Sequence, residues 1–103
     1  MSGGGGGGYT PRESSCEELT LGAPLGSPKL AVITGLKPGN LLTLELEATS
    51  VKTVLAKTSG GKIAGTITTM TQRLIECMEQ GYEFVAEVKQ INGAQCQVSI
   101  HVK

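Results

Sequence analysis

The chain has 103 residues, nine lysines and arginines against nine glutamates, no aspartate, one histidine and 3% aromatic residues. That length allows one domain. Zero net charge argues against a dedicated nucleic-acid binder, whose affinity comes largely from phosphate neutralisation. With no aspartate and His101 alone, the paired groups of acid–base catalysis are missing, so a non-enzymatic protein with no cofactor and no small-molecule substrate is expected.

Residues 1–15 read as a glycine-rich disordered tail. Gly3 to Gly8 is an unbroken glycine run, with maximal chain entropy and nothing to bury. It is not a phosphate loop, because no strand precedes it and no Gly-Lys-Ser/Thr ends it. The start, Met1-Ser2 and glycines, offers no charged or apolar leader segment. No apolar run approaches the roughly 18 residues of a membrane helix. A cytoplasmic chain with no membrane partner is the expectation. Cys16, Cys77 and Cys96, odd in number and irregular in spacing, are then expected to be free thiols.

Residues 16–103 are expected to form a single β-rich domain. Glu17 to Leu21 fits a short strand, broken by Pro24, Gly26 and Pro28, with Lys29 to Thr34 a further apolar run. Leu36-Lys37-Pro38-Gly39-Asn40 is a turn, proline pre-setting one dihedral and glycine relaxing the next. Leu42, Leu44 and Leu46 alternate with Thr43, Glu45 and Glu47, the period-two pattern of a half-buried strand. The β-branched run Ser50 to Thr58 turns at Ser59-Gly60-Gly61 into Lys62 to Thr68, where Ile63, Gly65 and Ile67 would share a face.

One helix is expected over about 70–80. Thr69 and Gln72 have capping-box spacing. Met70, Leu74, Cys77 and Met78 make one apolar stripe, and Gly81 suits a left-handed stop. A terminal hairpin follows, with Tyr82, Phe84, Ala86 and Val88 facing Cys96, Val98, Ile100 and Val102. A three-residue loop Ile91-Asn92-Gly93 would oppose Val98 to Ala86 and Ile100 to Phe84, keeping both apolar sets on one face. The predicted class is mainly β, a β-rich α+β fold. The strand-strand-strand-helix-strand-strand order from Leu41 is that of a small oligonucleotide-type barrel of five to seven strands, with the helix between the third and fourth strands of the 41–103 unit.

For chemistry, Cys77 and Cys96 fall on core faces and lack neighbours that would make them reactive. A zinc site from Cys16, Cys77, Cys96 and His101 fails on spacing, because no Cys-x-x-Cys knuckle exists. For binding, Lys52, Lys57 and Lys62 surround the Gly60-Gly61 turn, and Tyr82 stands at a strand mouth. These four are the candidate nucleic-acid-binding residues, since basic groups track phosphate while aromatics stack bases.

Gly61-Lys62-Ile63-Ala64-Gly65, the helix ending Glu79-Gln80-Gly81, Tyr82 to Val88 and Ile91-Asn92-Gly93 together resemble the second half of HIRAN-type domains. Such domains are small barrels that in some helicase-like proteins hold single-stranded DNA ends. The resemblance implies a barrel fold. The family's Asn-Pro-x-Asp-x-Asn-Ala-like stretch is replaced by Ser50 to Thr58, and no binding residue carries over. The leading expectation is a small protein-interaction or adaptor module that binds a protein partner or itself through a sheet edge or the outer barrel face. Its alternatives are a weak single-stranded nucleic-acid-binding barrel and a thiol-based sensor.

Overall fold

The computed structural model describes residues 15–103, so the tail assigned to residues 1–15 lies, up to Ser14, outside the described residues. A 3-10 turn (Cys16–Glu18) leads into β1 (Thr20–Gly26), the short helix α1 (Leu30–Ile33), β2 (Leu41–Ala48), β3 (Lys52–Lys57), β4 (Ile63–Ile67), α2 (Thr71–Glu79), β5 (Phe84–Asn92) and β6 (Gln95–Val102). The strands close into an antiparallel barrel in the order β1-β4-β3-β2-β5-β6, with β6 returning to β1.

The core is built from small and medium side chains because the sequence offers little else. Phe84, Ile33, Leu42, Ile67, Leu74 and Ile100 are its largest fully buried members, and no polar or charged residue is buried among those described. Phe84 thus packs the core, as its alternation predicts. The β2 alternation also holds: Leu42 and Leu44 point in while Thr43 and Glu45 stay in water.

Several local expectations give way to tertiary effects. β1 runs through Pro24 and is not broken by it. Pro24 stands where β1 changes partner, its pair with Gln97 of β6 giving way to Leu25↔Ile67 across to β4. A residue without an N–H is tolerated at such a changeover. The 3-10 turn takes Glu17 and Glu18, the start of the strand expected over Glu17 to Leu21, and the strand itself begins at Thr20. In β4, Ala64 is an extra residue between the pairs Ala56↔Gly65 and Lys57↔Ile63. This bulge buries Ala64 and Gly65 and leaves Ile63 37% exposed, so Ile63 does not share the core face.

The terminal hairpin is likewise shifted by two residues from the expected register. Val98 faces Val88, Ile100 faces Ala86, and Phe84 faces Val102. The loop is Gly93-Ala94, closed by Asn92↔Gln95, and the extra residue is Lys89 within β5. Gly93 is left-handed, at φ 61°. The apolar sets still share one face, but a strand bulge delivers that parity and the loop does not.

α2 lacks the capping box. It starts one residue later, behind Met70 at φ 52°, with no side-chain cap, and Met70 is 52% exposed. Leu74 and Cys77 carry the stripe into the core.

The cysteine expectation is also corrected. Cys16 and Cys77 form a disulfide, not two free thiols, tying the 3-10 turn to α2. The stripe brings Cys77 to the spot that Cys16, itself buried, reaches from across 61 residues of chain. Among the described residues no helix is long and apolar enough to cross a membrane.

Candidate binding groove

The segment between β1 and β2 crosses one end of the barrel. Its start is fixed where Lys29 N–H donates to the Ala64 carbonyl at 2.9 Å. Its end is fixed on β5, where Gly39 N–H donates to the Val88 carbonyl at 2.7 Å and Val88 N–H to the Asn40 carbonyl at 2.8 Å. Ile33 of α1, fully buried, fills the barrel at this end. The Lys37–Asn40 turn forms as its sequence predicts. Asn40 N–H donates to the Lys37 carbonyl, Gly39 takes φ 97°, and the Asn40 carboxamide accepts from Lys37 N–H at 2.9 Å.

Opposite this wall stands the β3–β4 loop. Thr58 N–H donates to the Lys62 carbonyl, and the Thr58 hydroxyl accepts from Lys62 N–H at 3.1 Å. Gly61 closes the loop at φ 86°. Between the two walls lies a groove of about 610 Å³. Ala31, Val32, Leu36, Leu41 and Leu42 give it apolar surface, and Asn40, Thr58, Ser59 and Lys62 give it polar groups. Among the described residues, no carboxylate and no aromatic ring lines it. Leu41 is 57% exposed on its flank.

The candidate residues from the sequence separate here. Lys62 lines the groove. Lys57, paired with Ile63 across the strands, reaches the same end of β3 but is ion-paired to Glu45. Lys52 lies five residues back along β3, roughly 17 Å away at strand spacing, and is paired to Glu79 of α2. It borders a second, smaller depression with Ile75 and Glu76. Tyr82 is half-buried and packs on the core, its N–H donating to the Cys77 carbonyl. The three lysines therefore do not form one basic edge.

Sequence reasoning missed most of the groove. Lys29 and Lys37 flank the α1 wall, and Leu41 faces outward from β2. One signal was available: Leu41 precedes Leu42 and so falls on the polar face of an otherwise alternating strand.

Cys96 is the one free cysteine among the described residues, and it is fully buried on β6. Burial pushes its thiol up from the ordinary 9.0. The unfolded chain therefore ionises first. The stability this thiol contributes is complete below about pH 9 and is lost as pH rises toward the raised folded value. Iodoacetamide at pH 8 should leave Cys96 unmodified in the native protein and alkylate it rapidly in denaturant. Rapid alkylation without denaturant would show that the barrel wall opens. Cys16 and Cys77 are held in their disulfide, and no cluster of metal-ligating side chains occurs among the described residues.

No protein-family model, no curated protein and no solved structure matches the chain.

Proposed function

We propose that the chain is a small non-enzymatic interaction module that holds a protein partner in the groove between α1 and the β3–β4 loop. The observation that carries this reading is the groove itself. Aliphatic side chains set among polar groups, left open beside the core, form a surface whose apolar part gains free energy when something covers it.

The closed circuit of strands redirects the earlier expectation. Each described strand has neighbours on both sides, so pairing along a sheet edge gives way to side-chain docking in a groove. The nucleic-acid alternative loses weight for a related reason. Lys52 and Lys57 already have carboxylate partners, and Tyr82 rests on the core. The resemblance to HIRAN-type domains bears on the barrel more than on its ligand.

The thiol-sensor alternative gains an observation in the Cys16–Cys77 disulfide. A reducing cytoplasm would open such a bond, whereas an oxidising compartment would preserve it.

The test is retention of partners from an extract of the source cell, before and after nuclease treatment. A protein held by the wild-type chain and by a Lys89→Glu control, but lost with Leu41→Glu, is the expected result. Leu41 is exposed, so its substitution leaves the core intact. Retention by Leu41→Glu, or loss of everything on nuclease treatment, would contradict the proposal.

A further inference from the structure

Resting on the interaction reading, we propose that the groove takes an extended, acidic protein segment bearing apolar side chains. The distribution of cations leads to this. The sequence has seven lysines. Four have glutamate partners: Lys52 with Glu79, Lys57 with Glu45, Lys89 with Glu87 and Lys103 with Glu83. The other three, Lys29, Lys37 and Lys62, have no carboxylate partner among the described residues. One of these three, Lys62, lines the groove, and the other two, Lys29 and Lys37, bracket in sequence the α1 segment that forms one of its walls.

In a chain of zero net charge, this puts Lys62 in, and Lys37 and Lys29 in sequence beside, a depression that no carboxylate lines among the described residues. An incoming anion meets an attractive field and, among the described residues, no carboxylate already paired with these lysines.

The rest of the lining selects the kind of anion. Val32, Leu36 and Leu41 offer aliphatic contact, which a free inorganic anion cannot use. No described residue lining it has an aromatic ring on which a base could stack, and stacking carries much of the binding in single-strand recognition. A volume of about 610 Å³ lies within the range that encloses a drug-sized ligand or a short stretch of peptide. Glutamates or aspartates alternating with leucine-like residues satisfy both parts of the site. Acidic side chains would meet Lys62 in the groove and Lys37 beyond its lining, and apolar ones would cover Leu41 and Val32.

The experiment is fluorescence anisotropy on the full, disulfide-bonded chain with four labelled probes. These are a synthetic peptide of alternating glutamate and leucine, its lysine–leucine and glutamate–serine counterparts, and a single-stranded oligothymidylate. The glutamate–leucine peptide should bind best. The double variant Lys37→Glu/Lys62→Glu should weaken it by roughly tenfold or more, whereas Lys103→Glu should not change it. Both lysines are exposed, so reversal is compatible with folding, and an unchanged circular dichroism spectrum checks this.

Equal binding of the glutamate–serine peptide, or indifference to the double reversal, would overturn the proposal. Tighter binding of the oligothymidylate would reassign the cations to phosphate. Preference for the lysine–leucine peptide would overturn the acidic-segment proposal and leave the broader interaction reading to the partner-retention test. No binding by any probe would reject the acidic-segment proposal, with partner retention then deciding the broader reading by itself.

Discussion

Opening the Cys16–Cys77 bond is expected to lower the stability of the domain by about 2–4 kcal/mol, the usual range for a native disulfide. The bond closes 61 residues of chain, and the chain-entropy relation for a loop of that length gives roughly 4 kcal/mol. Both sulfurs lie in the core, so replacement by alanine also removes packing. Thermal unfolding of the oxidised chain, the reduced chain and the Cys16→Ala/Cys77→Ala variant measures the effect. A loss of that size lowers the midpoint by about 10–25 °C in a domain this small. An unchanged midpoint would mean that the crosslink constrains nothing. The same comparison bears on the thiol-sensor alternative: α2 released on reduction, with the barrel intact, would give a redox-responsive helix, whereas global unfolding would make the bond purely structural.

The second large effect is expected at Gly65. β1 and β4 close the barrel through only two registered pairs, Leu25↔Ile67 and Gly26↔Thr66. A Cβ added at Gly65 would stand 2.8 Å from the Gly26 carbonyl oxygen and 3.2 Å from the Leu25 Cβ. The first contact is with backbone and cannot be relieved by rotating a side chain, so β1 must move off β4. Gly65→Ala should therefore destabilise by about 1–3 kcal/mol, the range for overpacking, with Gly65→Val at the upper end or beyond. Gly22→Ala is the control within β1. Its added Cβ would meet only the Val98 carbonyl, at an ordinary 3.9 Å, and near-neutrality is expected. Urea titrations of the variants measure the difference. Equal stability of Gly65→Ala and wild type would show that the seam is not tightly closed.

The elements governed by local pattern were legible in the sequence. The leucine alternation of β2, the Pro38-Gly39 turn, the helix before Gly81 and the terminal hairpin each rest on residues a few positions apart, and each is present. The order of elements predicts a mainly β barrel of five to seven strands, and the structure has six. What local pattern does not carry is closure. Pro24 reads as a breaker until β1 is seen to change partners at that residue. The bulges at Ala64 and Lys89 arise where curvature demands an extra residue, and the alternating pattern on either side cannot say which residue that will be. α2 starts behind a left-handed Met70 in spite of a well-spaced Thr69 and Gln72, a backbone conformation that side-chain spacing does not encode. Cys16 and Cys77 meet only once α2 lies against the barrel, so their pairing was invisible to spacing.

The candidate site was less legible still. Of Lys52, Lys57, Lys62 and Tyr82, only Lys62 lines the groove. Closeness to one turn suggested a basic edge, but strand geometry sends Lys52 to the far end of β3 and gives it to Glu79. The groove brings residues 31–42 against residues 58–62. Such a juxtaposition depends on tertiary hydrogen bonds, Lys29 to Ala64 and Gly39 to Val88. The free lysines stand out only after the other four have found their glutamates.

The most direct test is amide-resolved NMR of the full chain titrated with the glutamate–leucine peptide. Groove binding predicts saturable shifts at Ala31, Leu36, Gly39, Leu41, Ser59 and Lys62, with the amides of Glu79 and Lys103 unmoved. Shifts centred on Lys52, Gln72 and Glu79, or scattered over the barrel without saturation, would contradict the assignment of the groove as the binding surface.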